Sequence, residues 1–276
     1  MHSTHSDGTD TPRALVEIAS QRGLAAIAVT DHDTFSAVEE AKAAGTELGV
    51  RVLSGVEISV EYAGKTVHML GYCFDAGADT LREKLGEILK GRDERNLQIV
   101  KKLNELGMDI TYNEITAEAG GKVVGRPHFA AVLLRKGYVQ QRQEAFDKYL
   151  AKGAAAYMDR LRFGPEDSVA MIREAGGVAV LAHPKLVRFP DGETLDDLVR
   201  SLTDAGLGGI ECYYSLHTAE ETQQYLSLSR KYNLVATGGS DYHGRNKPKI
   251  SMGTGEGDLH VPISCADALE ARARQR

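Results

Sequence analysis

Three times in succession after residue 165, a helix-patterned segment runs into a short apolar stretch. EDSVAMIREAGG leads into VAVLAHP, LDDLVRSLTDAG into GGIECYY, and AEETQQYLSLSRKYN into LVATGGSDYHG. A continuous apolar run bounded by turn residues suits a strand covered on both faces. Strand–helix alternation predicts an α/β fold with a parallel sheet, and this many units predict closure towards a barrel. The start of the chain follows the same grammar. Thr11 and Pro12 read as an N-cap and first helical position, and Gly23 closes that helix. LAAIAVT (24–30) reads as a strand, 34–48 as a helix, and VRVLSGVEISV and KTVHMLGYCF as two further strands.

The texture changes after residue 79. LREKLGEILKGRDERNLQIVKKLNELG repeats apolar residues at three- and four-residue spacing, the mark of a long amphipathic helix. RPHFAAVLLRKG and QEAFDKYLAKG extend the helical pattern through 126–151. The domain organisation expected is therefore a barrel domain over 1–75 and 160–276, with a helical insertion domain at 76–159.

Composition narrows the function. The chain has 276 residues and a formal net charge of −6, so a general nucleic-acid coat is excluded and nucleotide contact needs a local cluster. No apolar run approaches the roughly 18 residues of a membrane helix. No signal peptide is evident, and Cys73, Cys212 and Cys265 form no paired motif, so a reducing cytoplasm is the expected location. Each cysteine reads as a small buried apolar residue.

Chemistry in parallel α/β folds collects at the carboxyl ends of strands. LAAIAVT ends in Asp31 and His32, VAVLAHP in His183, and LVATGGSDYHG in Asp241 and His243; Glu57 and His68 sit in the two strands between. Each has an ordinary alternative: a strand histidine is usually a hydrogen-bonded core residue, and Asp31 or Asp241 could cap a helix or form a turn. Glu57 inside an apolar strand is harder to explain that way, because buried carboxylates need a partner. Coincidence at five strand ends is less economical than a shared cation. Imidazoles and carboxylates without thiolates suit zinc, manganese or iron in hydrolysis.

These pieces, SDGTDTP (6–12), TDHDT (30–34), GVEIS (55–59), VHMLGY (67–72), AHP (182–184) and GSDYHG (239–244), occur in the order found in the polymerase and histidinol phosphatase (PHP) superfamily, which the chain resembles. The helical insertion resembles the branch of nucleoside 3′,5′-bisphosphate phosphatases and 5′–3′ exoribonucleases. The resemblance implies a distorted (β/α)7 barrel and up to three divalent ions, manganese first among them. It implies Asp7, His32 and His243 on one ion, His68 and His183 on a second with Glu57 bridging, and His2, Glu57 and Asp241 on the third. The family's first motif is a strand ending His-x-His; His2 aligns with its second histidine. A truncated first strand and an impaired third site are thus expected, with His2 beside a mobile chain end.

Arg92 and Arg95 lie one turn apart, and Arg126 and His128 lie in GRPHF. Arginine's planar fork suits phosphate oxygens, although an arginine pair on a long helix is more often a solvated face. By resemblance these four residues bind the second phosphate. The expected function is cation-assisted in-line hydrolysis of small nucleotide phosphomonoesters, above all nucleoside 3′,5′-bisphosphates, with trimming of short RNA by the same chemistry. His32, His243 and Asp241 are the expected catalytic residues, and neither a membrane nor an obligate protein partner is implied. The alternatives are a histidinol-phosphate-type phosphatase and a metal-binding accessory domain of little activity.

Overall fold

The computed structural model describes residues 1–120, 123–159 and 162–275. In chain order the elements are α1 (Pro12–Gln21), β1 (Ala26–Ala28), α2 (Val38–Leu48), β2 (Arg51–Leu53), β3 (Gly55–Tyr62), β4 (Lys65–Tyr72), α3 (Asp79–Glu105), α4 (Tyr112–Ala119), α5 (Arg126–Arg135) and α6 (Arg142–Ala145). They continue with α7 (Pro165–Glu174), β5 (Val178–Leu181), α8 (Leu195–Asp204), β6 (Gly209–Tyr214), α9 (Ala219–Lys231), β7 (Val235–Gly239) and α10 (Ser264–Ala273). The chain divides into two compact units, Met1–Leu85 with Arg162–Arg276, and Gly86–Leu161. The boundary falls inside α3, later than the domain start expected at 76. Texture marks where the helix begins, whereas Leu81 and Leu85 are still buried in the first unit.

The first unit carries a two-stranded parallel sheet, β1–β2, and a five-stranded sheet in the order β3–β4–β5–β6–β7. The expected all-parallel arrangement holds only for β5–β6–β7 and β1–β2; β3–β4 and β4–β5 are antiparallel. The cause is the Ala63–Gly64 connection, with φ of 50° and 71°. Two consecutive positive φ values are those of a type I′ turn, which closes a hairpin rather than a crossover. Among the described residues, β1–β2 and the five-stranded sheet are separate hydrogen-bonded sheets, with an isolated bridge between His32 and Glu57.

Local chemistry shapes the elements as expected at α1, where Thr11 Oγ1 accepts a hydrogen bond from Ala14 N (3.2 Å) and Gly23 turns left-handed at φ 68°. Leu15, Val16, Ala19, Ile27, Ala41 and Ala44 form one core cluster against α1 and α2. Leu70, Val178, Val180 and Val235 form another behind the large sheet. The second unit is all-helical around Ile99, Leu103, Ile115, Phe129, Leu133 and Leu150. Among the described residues no helix is long and apolar enough to cross a membrane.

Candidate metal centre

The hairpin register builds the middle of the site. Glu57 pairs with Leu70 and Ser59 with His68, so Glu57 and His68 are diagonal neighbours on one face. Glu57 Oε1 lies 2.6 Å from His68 Nδ1 and 3.1 Å from His183 Nε2; Oε2 lies 3.0 Å from His2 Nε2 and 3.9 Å from His32 Nδ1. One buried carboxylate thus meets four imidazoles. His183 arrives just past the end of β5 in a strained backbone conformation (φ 24°), and its N–H donates to Glu211 Oε2 (2.8 Å). His68 and His183 ring nitrogens are 3.2 Å apart.

The ends of β1 and β7 and the lead-in loop supply the remainder. Asp7 Oδ1 is 3.3 Å from His243 Nε2 and 3.6 Å from His2 Nδ1, and Asp7 Oδ2 is 3.8 Å from His32 Nε2. His2 Nε2 is also 3.1 Å from Asp241 Oδ1. Three donor groups emerge, each within 4.8 Å: His2, Asp7, His32 and His243; His32, Glu57 and His68; and His2, Glu57 and Asp241. These groups hold seven of the eight side chains implied as ligands; His183 is in none of them but adjoins the second through Glu57 (3.1 Å) and His68 (3.2 Å). His32 stands between two groups rather than in one.

His2 is not loose. It is 1% exposed, its N–H donates to Tyr242 O (2.9 Å), and the Met1 carbonyl accepts from Thr30 N (2.8 Å). The lead-in is therefore clamped between the segments that follow β1 and β7, against the expectation of a mobile end. Asp31 does the clamping: it accepts from Ser3 N (2.7 Å), Ser3 Oγ (2.6 Å) and Ser6 Oγ. A Cβ on Gly8 would lie 2.1 Å from the His2 carbonyl oxygen, so only glycine lets the loop fold back this closely. His5 points elsewhere, to Ser36 Oγ (2.7 Å).

Several supporting residues carried no sequence signal. Asp241 Oδ2 accepts from Tyr214 OH (3.1 Å) and Lys247 Nζ (2.6 Å), which leaves Oδ1 for the cluster. Such contacts orient a ligand from behind. Asp33 Oδ1 accepts from Ser59 N (2.7 Å), locking the His32 segment against β3. Glu211 could have been found, since it interrupts the apolar run GGIECYY as Glu57 interrupts its own. Lys185 is occupied by Leu216 O and Glu221, both at 2.8 Å. His217 is half-buried between the Tyr214 and Tyr225 rings at 5.1 and 4.7 Å.

Electrostatics push the two central histidines apart. Burial works against a charged His2, but hydrogen bonds to Asp241 and Glu57 outweigh it and raise its pKa to about 10. Burial dominates at His32 and lowers it to about 4 despite Glu57 and Asp7. Burial also opposes ionisation of Glu57 and Asp241, yet the surrounding histidines hold both carboxyls well below their usual range. Burial lifts Glu211 to about 7, with His183 only partly compensating.

The donor set fits divalent cations. Two donors sharing one ion at about 2.1 Å stand about 3.0–3.4 Å apart, close to most of the separations above. His2 Nδ1 and His32 Nδ1 are buried and make no hydrogen bond among the described residues. The neutral His32 offers a lone pair there to a cation, and His2 does so once its proton is displaced.

The PHP domain family matches residues 1–238, a span that holds His2, Asp7, His32, Glu57, His68 and His183, with Asp241 and His243 just past its end. The chain belongs to the PHP family. This PHP protein is 36% identical to the phosphoribosyl 1,2-cyclic phosphate 1,2-diphosphodiesterase of Eggerthella lenta, across 89% of this chain and 93% of that one. It is 34% identical to the 3′,5′-nucleoside bisphosphate phosphatase of Chromobacterium violaceum, across 88% and 85%. A crystal structure from Bifidobacterium adolescentis, assigned as a metal-dependent phosphoesterase, superposes with a TM-score of 0.84 at 29% identity, covering 98% and 94% of the two chains. The PHP protein is accordingly a hydrolase of phosphoric esters that depends on metal.

In the second unit, Arg92 and Arg95 are buried rather than solvated. Arg126 Nη1 donates to Leu150 O (3.2 Å), with its guanidinium 5.2 Å from the Tyr157 ring centroid. His128 Nδ1 accepts from Gly125 N (3.0 Å) at the start of α5.

Proposed function

We propose that the PHP protein hydrolyses one phosphate of a small ribose derivative that carries two, most readily a nucleoside 3′,5′-bisphosphate. The observation supporting phosphoryl chemistry is Glu57, one carboxylate within 3.9 Å of four imidazoles. The two named relatives support the substrate class, since both act on ribose compounds bearing two phosphate positions. Short RNA is a secondary substrate of the same reaction.

The ions are manganese, with His32, His68, His183, His243, Asp7 and Glu57 holding the tighter two. The His2, Glu57 and Asp241 set holds the third more weakly, because it shares Glu57 and Asp241 is also engaged by Lys247. Bound cations supply Lewis-acid charge that neutralises the phosphoryl oxygens and the departing oxygen. Tyr214 and Lys247 fix the orientation of Asp241, Asp33 fixes the His32 segment, and the Asp31 clamp fixes His2 and Asp7. His32, with its low pKa, stays neutral and able to accept at neutral pH. Arg92, Arg95, Arg126 and His128 recognise the second phosphate.

Steady-state phosphate release tests this reading. With manganese, kcat/KM for a nucleoside 3′,5′-bisphosphate exceeds that for the 5′-monophosphate, histidinol phosphate and an aryl phosphate. Arg126→Ala raises KM for the bisphosphate by roughly 10- to 100-fold, the value of one charge-assisted contact of about 1.5–3 kcal/mol, and leaves the aryl phosphate unaffected. Equal losses on both substrates assign Arg126 to its Leu150 and Tyr157 contacts instead.

A further inference from the structure

Beside the metal centre, the first unit holds a cavity of about 350 Å³ that no part of the reaction so far uses. Its walls include Tyr214, Leu216, Asp241, Lys247, Pro248 and Ile250. Asp241 and Tyr214 belong to both cavity and centre. The inner end of the cavity is therefore the same carboxylate that faces His2 at 3.1 Å, with Tyr214 OH at 3.1 Å and Lys247 Nζ at 2.6 Å on its other oxygen. Asp241 and Tyr214 thus place this space next to the centre.

The wall chemistry identifies the occupant. Away from Asp241 a tyrosine ring, a proline ring and two branched aliphatic side chains supply its apolar surface, with Ser215, Ser240 and charged side chains between them. Leu216 is 43% exposed and carries the apolar lining to the rim. Two lysines, Lys247 and Lys249, stand against two carboxylates, Asp241 and Glu256, and Lys247 is paired with Asp241, so the walls carry no net positive charge to draw a second phosphate. The volume lies at the small end of the range for small-molecule pockets, roughly 300–1,000 Å³. We propose that this cavity binds the nucleobase of the substrate, with Leu216, Pro248 and Ile250 as specificity-determining residues. The assignment rests on the nucleotide reading above and adds where the base goes.

The chain contains no tryptophan, so Leu216→Trp introduces a single reporter on the rim. With manganese bound, a nucleoside 5′-monophosphate quenches its fluorescence saturably, and ribose 5-phosphate at the same concentration does not. Identical responses to the two, or none at nucleotide concentrations that inhibit turnover, overturn the proposal. Ile250→Trp provides a second reading by filling the cavity. It raises KM for a nucleoside 3′,5′-bisphosphate about tenfold or more and changes KM for 2-deoxyribose 3,5-bisphosphate, which lacks only the base, less than twofold. Equal changes on both substrates also overturn it. Failure of the unmodified protein to hydrolyse any nucleoside bisphosphate would sink the substrate reading instead, and the fluorescence titration distinguishes the two failures.

Discussion

His2 shows how a single residue couples protons to metal. Without a cation it holds its proton up to a pKa of about 10, because Asp241 and Glu57 accept from it more strongly than burial disfavours its charge. A cation binding at His2 must displace that proton. Affinity therefore rises with pH, by about tenfold per unit for one displaced proton, until His2 loses its proton unaided near pH 10. Calorimetry at pH 7.5 in two buffers of different ionisation enthalpy measures the release directly. About one proton leaves as the His2 site fills; a value near zero contradicts the assignment of His2 as a ligand. His32, already neutral with its pKa near 4, adds nothing to that release.

At the scale of elements, Asp31 holds the lead-in loop. Asp31 accepts from Ser3 N, Ser3 Oγ and Ser6 Oγ in a fully buried setting. Asp31→Ala leaves those donors without an acceptor and frees His2 and Asp7, costing about 3–5 kcal/mol of stability in urea unfolding. A loss under about 1 kcal/mol shows that the loop is held by other means. Strands were legible in the sequence because buried runs such as VAVL have few other fates, and their polar ends pointed to the ligands. Strand direction was not, since an apolar run carries no arrow; the only cue was Ala63–Gly64, two residues whose left-handed turn forces the β3–β4 hairpin. Six of the eight donors could be named from the strands, whereas His2 and Asp7 came only through the resemblance. Tyr214 and Lys247 could not be named, because each reaches Asp241 through tertiary packing from a segment with no motif. The clamping role of Asp31 was equally hidden, as its neighbour His32 looks no different in a linear reading.

At the scale of the whole molecule, the metal donors belong to one compact unit, whereas Arg92, Arg95, Arg126 and His128 belong to the other. If those four residues bind a second phosphate as proposed, hydrolysis and its recognition are separable by mutation. The central claim is that the cluster around Glu57 is a cation site on which phosphoester hydrolysis depends. The direct measurement is phosphate release from a nucleoside 3′,5′-bisphosphate by protein stripped with chelator and then titrated with manganese, with bound metal counted in parallel and Glu57→Gln as comparison. The stripped protein is inactive, activity returns in step with two to three bound ions, and Glu57→Gln binds fewer ions and regains less than about 1% of the rate. Full activity in the stripped protein, or unchanged metal content and rate in Glu57→Gln, contradicts the account.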